Sequence, residues 1–116
     1  MKKIEFEYDK ITTEEERCLE TQKFLEKNPD QIPILIASKD LDQQNKFKYS
    51  CLKTQNLSHF SLGIKKKFNL TPVDALFLYI ENHAPSMSEK MENLYLKYKS
   101  NDGYLRLNIC KENTFG

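Results

Sequence analysis

The sequence predicts an α+β domain built on a four-stranded mixed sheet, with helices against both of its faces. Three observations carry that prediction. Hydrophobic spacing switches along the chain between a period near two and a period near 3.6. The segment "QIPILIAS" is apolar on both of its alternating faces. The length, 116 residues, suffices for one modest core but not for two. Hydrophobic residues at 39% against 30% charged residues fit a packed chain and leave no disorder signature.

The first helix is expected in "TTEEERCLETQKFLEKNPD". Thr13 and Glu16 have capping-box spacing, three glutamates sit at the positive end of the helix dipole, and Asn28-Pro29 stops it. Its narrow apolar stripe of Cys18, Leu19, Phe24 and Leu25 implies that it lies on another layer. In "QIPILIAS", Ile32, Ile34 and Ile36 alternate with Pro33, Leu35 and Ala37, so both faces need cover, with Pro33 near the strand's start. A loop, "SKDLDQQNK", and a second strand, "FKYSCL", complete a hairpin.

Leu57, Phe60, Ile64 and Phe68 then recur at helical spacing, with Lys65, Lys66 and Lys67 mostly on the other side. "DALFLYIEN" reads as a buried strand. "APSMSEKMENLYLKYKSNDG" reads as a helix introduced by Ser88, with Met91, Leu94, Tyr95 and Tyr98 inward, ended by Asn101, Asp102 and Gly103. "YLRLNIC" alternates, with Leu105, Leu107 and Ile109 on one face. A hairpin, a helix packed across it and two further strands follow the element order of a β-grasp sheet. The N-terminal helix would cover the face such a sheet leaves bare. Ile4, Phe6 and Tyr8 fit either an extended segment or a helical turn.

Net charge is +1, but it is uneven: Lys and Arg against Asp and Glu count 6 to 9 in residues 1–30, 7 to 2 in 31–70, and 5 to 6 in 71–116. The middle third is basic. No apolar run approaches the roughly 18 residues that cross a bilayer, and "MKKIEFEYDK" has acids where a signal peptide is apolar. A cytoplasmic chain is therefore expected, with any membrane association acquired. Cys18, Cys51 and Cys110 lack metal or redox spacing and read as reduced, partly buried thiols; no metal or other cofactor is expected. Cys51 and His59 lack the surroundings of a nucleophile and its base, so no catalytic residue is assigned. Lys65–Lys67 read as a solvated face, not a nucleic-acid site, and His83 as a turn residue.

The segments "EKNPDQIPILI", "DALFLYIEN", "MENLYLKYKSNDGYLRL" and "ENTFG" resemble the autophagy-related protein 8 or GABARAP family of ubiquitin-like modifiers. The resemblance runs from about Glu20 to Gly116. It implies a ubiquitin-like β-grasp core at 29–110, an N-terminal helical extension at 1–28 and a flexible conjugation tail at 111–116. It implies a protein without chemistry of its own. Dedicated activating and conjugating enzymes would join Gly116 to phosphatidylethanolamine on autophagosomal membranes, and a cysteine protease would trim precursors and deconjugate them. Glycine suits that role because it enters narrow channels barred to residues with a Cβ. On that resemblance a chain ending at Gly116 would be ready for conjugation, whether so encoded or so trimmed. A monomer before conjugation is also expected; the alternative function is a non-conjugated ubiquitin-like peptide-binding scaffold in trafficking.

The resemblance further implies binding of aromatic-x-x-aliphatic peptides from cargo receptors, added as a strand beside the second strand. The aromatic pocket would comprise Glu20, Phe24, Pro33, Leu35, Lys48, Ser50 and Tyr104; the aliphatic pocket, Tyr49, Cys51, Leu52, Phe60 and Ile64. Lys46 and Lys67, together with Lys48, would steer acid-flanked ligands. Three positions depart from the family pattern. Ser50 replaces a larger aliphatic residue, Gly63 replaces a bulky apolar one at a helix cost of about 1 kcal/mol against alanine, and Gln31 replaces a common arginine. An altered side-chain preference is expected, and the acidic N-terminal segment argues against a tubulin-binding role.

Overall fold

The computed structural model describes residues 5–44 and 46–111. Ile4 and the tail from residue 112 to Gly116 therefore lie outside the described residues. At the centre is β1 (Gln31–Ala37), antiparallel to β2 (Lys48–Leu52) and parallel to β4 (Leu105–Cys110), which pairs antiparallel with β3 (Phe77–Tyr79). The spatial order is β2-β1-β4-β3, leaving β2 at one edge.

The two faces of β1 enter two different cores, which is why neither carries polar residues. Ile32, Ile34 and Ile36 join Leu105, Leu107 and Ile109 beneath α3 (Leu57–Lys67) and α4 (Met91–Tyr98). Leu35 packs on the other face with Tyr8 and Tyr104, supported by Phe6 and Phe47. Pro33 pairs with Ser50 in the hairpin, while the parallel ladder to β4 begins one residue later, at Ile34 with Leu105. The Ile36 N–H donates to the Phe47 carbonyl at 3.0 Å. That alternation turns the Pro33 nitrogen away from β2, so no bond of the hairpin is lost.

Two helices precede the sheet: α1 (Glu7–Ile11), which resolves the open reading of Phe6 and Tyr8 in favour of a helical turn, and α2 (Glu14–Lys27). The capping box is present, with Glu16 N–H on Thr13 Oγ1 and Thr13 N–H on Glu16 Oε1, both at 3.1 Å. The expected apolar stripe is not how α2 docks. Cys18 and Leu19 are exposed, Phe24 and Leu25 are half-buried, and the buried residues are Arg17 and Thr21. Arg17 Nε meets Asp102 Oδ2 at 2.8 Å, and Thr21 Oγ1 donates to the Asp102 carbonyl at 2.6 Å. Gly103 follows at φ 91°, where an added Cβ would collide with the Thr21 side chain, so this turn requires glycine.

Asp9 and Arg106 complete the cluster. Arg106 Nη2 lies 2.6 Å from Asp9 Oδ1 and 2.8 Å from Asp102 Oδ2. α1, α2, β4 and the turn before β4 are thereby tied at one point. Burial works against the Asp102 carboxylate, but bonds from Arg106, the Tyr104 N–H and Arg17 outweigh it and hold its pKa below the ordinary value.

Elsewhere two boundaries differ from expectation. Ser88 does not cap α4; the helix begins after Lys90, and its first N–H groups, on Met91 and Glu92, donate to the carbonyls of Gln55 and Lys53. The strand expected across "DALFLYIEN" shrinks to Phe77–Tyr79, because Glu81 and Asn82 take φ of 47° and 77° and turn the chain back so that Ile80 and His83 exchange both backbone bonds. Lys111, placed in the tail by sequence, has its N–H on Asp40 Oδ2 at 2.7 Å.

Replacing Asp102 with Ala leaves Arg17 and Arg106 without their buried carboxylate and with only the partly exposed Asp9 between them. Urea unfolding should show a loss of about 3–5 kcal/mol. A depressed carboxylate contributes stability that is complete above its unfolded value of 3.8 and is lost as pH falls through the lower folded value. The gap between wild type and Asp102→Asn should thus be flat above about pH 5 and close in stronger acid.

Candidate peptide-binding groove

As the edge strand, β2 carries side chains toward both helical layers while its outer backbone faces no further strand among the described residues. Tyr49 and Cys51 pair with Ile34 and Ile32, and the alternation set at Ile36 points the backbone groups of Lys48 and Ser50 outward. α2 walls one side of this edge and α3 the other. The result is an open groove of about 760 Å³.

At the α2 end the groove is lined by Glu20, Phe24, Pro33, Lys48, Ser50 and Tyr104. Six of the seven residues expected for the aromatic pocket are therefore together. Leu35 is not among them: it is 0% exposed and sits under this end, in the core with Tyr8 and Tyr104. Both Glu20 oxygens are engaged, accepting from Tyr8 OH at 2.6 Å and Tyr104 OH at 2.9 Å. Burial first, and then the adjoining Glu20 carboxylate, push both phenol pKa values well above the ordinary 10.0. The two tyrosines therefore remain proton donors and orient Glu20 through any ordinary pH.

At the α3 end lie Tyr49, Cys51, Phe60 and Ile64. Leu52 is 43% exposed and falls outside the lining; it stands on the face of β2 that carries Lys48 and Ser50, not on that of Tyr49 and Cys51. Burial raises the Cys51 thiol to about 12, so at neutral pH it is an uncharged, apolar part of the floor. Lys67 lines the groove with its Nζ 4.6 Å from the Tyr49 ring centroid, whereas Lys46 lines a separate depression beside Asp40, Asp42 and Phe68.

Sequence reasoning missed Lys23 and Lys27 on α2, and Gln55 and His59 at the start of α3, all of which line the groove. The signal for the first two was available: Glu20, Lys23, Phe24 and Lys27 recur at helical spacing. With Lys48 and Lys67 they surround the groove with four ammonium groups against one carboxylate, itself already bonded. The arrangement suits an extended, acid-flanked peptide with apolar anchors. Among the described residues no His, Cys, Asp and Glu group is placed to hold a metal, and no helix is long and apolar enough to cross a membrane.

The family model described as "Autophagy protein Atg8 ubiquitin like" matches residues 16–116. The chain belongs to the Atg8 family. It is 33% identical over 105 residues to Autophagy-related protein 8h of Arabidopsis thaliana, spanning 88% of each chain. It is also 33% identical over 105 residues to Autophagy-related protein 8 of Schizosaccharomyces pombe, spanning 88% of this chain and 87% of that one. The solved structure of Trypanosoma brucei ATG8 superposes with a TM-score of 0.86 at 25% identity, covering 92% of this chain and 95% of that one. Plasmodium falciparum Atg8, solved in complex with a Plasmodium falciparum Atg3 peptide, superposes at 0.79 and 25% identity, covering 90% and 95%. The α+β, ubiquitin-like fold expected from the sequence is therefore the fold of this Atg8 protein.

Alkylation distinguishes the thiols. Cys18 is exposed, whereas Cys51 and Cys110 are buried. Intact mass after brief iodoacetamide treatment at neutral pH should show one adduct on the native protein and three in denaturant. Rapid native labelling of Cys51 would contradict its packed, protonated state.

Proposed function

We propose that this Atg8 protein is conjugated through Gly116 to phosphatidylethanolamine on autophagosomal membranes and serves there as an adaptor for aromatic-x-x-aliphatic peptides of cargo receptors. The carrying observation is the groove, an open sheet edge walled by two helices and ringed by lysines. A peptide would add as a strand along β2, bonding to the outward backbone of Lys48 and Ser50. Each net hydrogen bond contributes about 1 kcal/mol, so the two anchors, one at each end, supply the remaining affinity and the selectivity.

The aromatic anchor would enter beside Phe24, Pro33 and Tyr104, and the aliphatic one beside Cys51, Phe60 and Ile64. An Atg3 peptide bound to a relative supports a peptide as the ligand and a conjugating enzyme among the partners. In conjugation, the lipid amine attacks the Gly116 carbonyl held as an enzyme thioester; an amide forms, and the enzyme thiol leaves. The match of the family model through residue 116 supports this half of the reading. A dedicated activating enzyme, a deconjugating cysteine protease, residence in the cytoplasm before lipidation and on membrane after it belong to the same proposal.

Two experiments test it separately. With family activating and conjugating enzymes, ATP and phosphatidylethanolamine liposomes, intact mass should show a lipid adduct that Gly116→Ala abolishes; no adduct with demonstrably active enzymes would leave a peptide-binding scaffold. Calorimetry with an acid-flanked aromatic-x-x-aliphatic peptide should give micromolar binding, weakened about tenfold, ~1.4 kcal/mol, by Lys23→Glu with Lys27→Glu. Absence of binding at high micromolar concentration would remove the adaptor role.

A further inference from the structure

Gly63 stands in the interior of α3, where glycine is the least favourable residue after proline. The fold gives no reason for it. Its backbone is helical, Gly103 being the glycine with positive φ among the described residues. A Cβ added at Gly63 would meet nothing within 4 Å, so no neighbouring chain approaches too closely for alanine. What the position does face is the groove, which it lines.

His59, Gly63 and Lys67 follow one another at intervals of four on that face of α3, and all three line the groove. The missing side chain therefore leaves a notch between an exposed imidazole and an ammonium group, with Phe60, Ile64 and Cys51 beneath. Lys67 already lies over one aromatic face, that of Tyr49. A second ring entering the notch would rest on an apolar floor that accepts either kind of side chain, while the bare helix backbone and the flanking cation favour a flat aromatic group over a branched aliphatic one.

We infer that Gly63 is a specificity-determining residue that opens the α3 end of the groove to a bulky aromatic second anchor, so that among acid-flanked peptides this protein prefers an aromatic second anchor to an aliphatic one. The inference rests on the peptide-binding reading above and deepens it.

The test compares three synthetic acid-flanked peptides, identical except for Phe, Leu or Val at the second anchor, against the full chain and its Gly63→Ala and Gly63→Leu variants. The Phe peptide should bind wild type about tenfold more tightly than the Val peptide. Gly63→Leu should remove that advantage while changing Val-peptide affinity less than about twofold, with Gly63→Ala intermediate. Because alanine suits the helix better, Gly63→Ala should also raise the thermal midpoint by roughly 4 °C, which shows that any lost affinity is not lost folding. Equal affinities for the three peptides, or equal losses for all three in the variants, would overturn this inference and leave the adaptor role standing. Failure of wild type to bind any of them would overturn both.

Discussion

The buried carboxylate of Asp102 fixes the relation between the N-terminal helices and the sheet, and through it the shape of the groove. It is 3% exposed and bonded by two arginines, one from α2 and one from β4, while Asp9 of α1 bridges the same guanidinium groups. Such a cluster adds little net stability compared with well-packed apolar residues of the same volume, because desolvation offsets much of the Coulombic gain. Its value lies in position. An apolar stripe slides at small cost, whereas a carboxylate shared by two guanidinium groups has one satisfactory geometry.

That geometry sets one wall of the groove. Held at Arg17 and Thr21, α2 presents its next turns, Glu20, Phe24 and Lys27, over the edge of β2. Tyr8 and Tyr104 then orient the Glu20 carboxylate from α1 and from the foot of β4. The second wall is independent of this cluster: α3 is anchored by Leu57, Phe60 and Ile64 in the main core and capped by Asn56, which accepts from the His59 N–H at 2.8 Å. One wall is thus placed by polar bonds and the other by apolar burial, with between them a strand edge that no other described strand pairs.

An exposed edge strand invites unwanted pairing, and β2 is short and carries Lys48 at its start. The surrounding lysines add to that protection by repelling basic strands while attracting acidic ones. The same charges that keep the edge from indiscriminate association would therefore define the kind of strand it accepts in the proposed function.

Much of this was legible in the sequence because it depends on local pattern. The Thr13–Glu16 capping box, the two apolar faces of β1, the helical spacing of Leu57, Phe60 and Ile64 and the alternation of Leu105, Leu107 and Ile109 each follow from which positions a regular element brings to one side. The family itself was carried by ordered segments from Glu20 to Gly116. Tertiary structure decided what pattern cannot encode. Arg17 and Thr21 drew no assignment from the sequence and Asp102 only that of a turn residue, since a buried ion cluster joins positions 85 residues apart with no periodic signature. Leu35, assigned to the pocket, became its support because Tyr8 and Tyr104 cover it. Lys46 and Leu52 fell outside the groove because loop path and strand facing are set by register, not by composition. The sequence by itself determined the regular elements from α2 onward and, for β1, α3, α4 and β4, the faces they bury, through periodicity and capping. The position of α2 over the sheet edge, and so the groove, was decided only when distant charges had to find partners on leaving water.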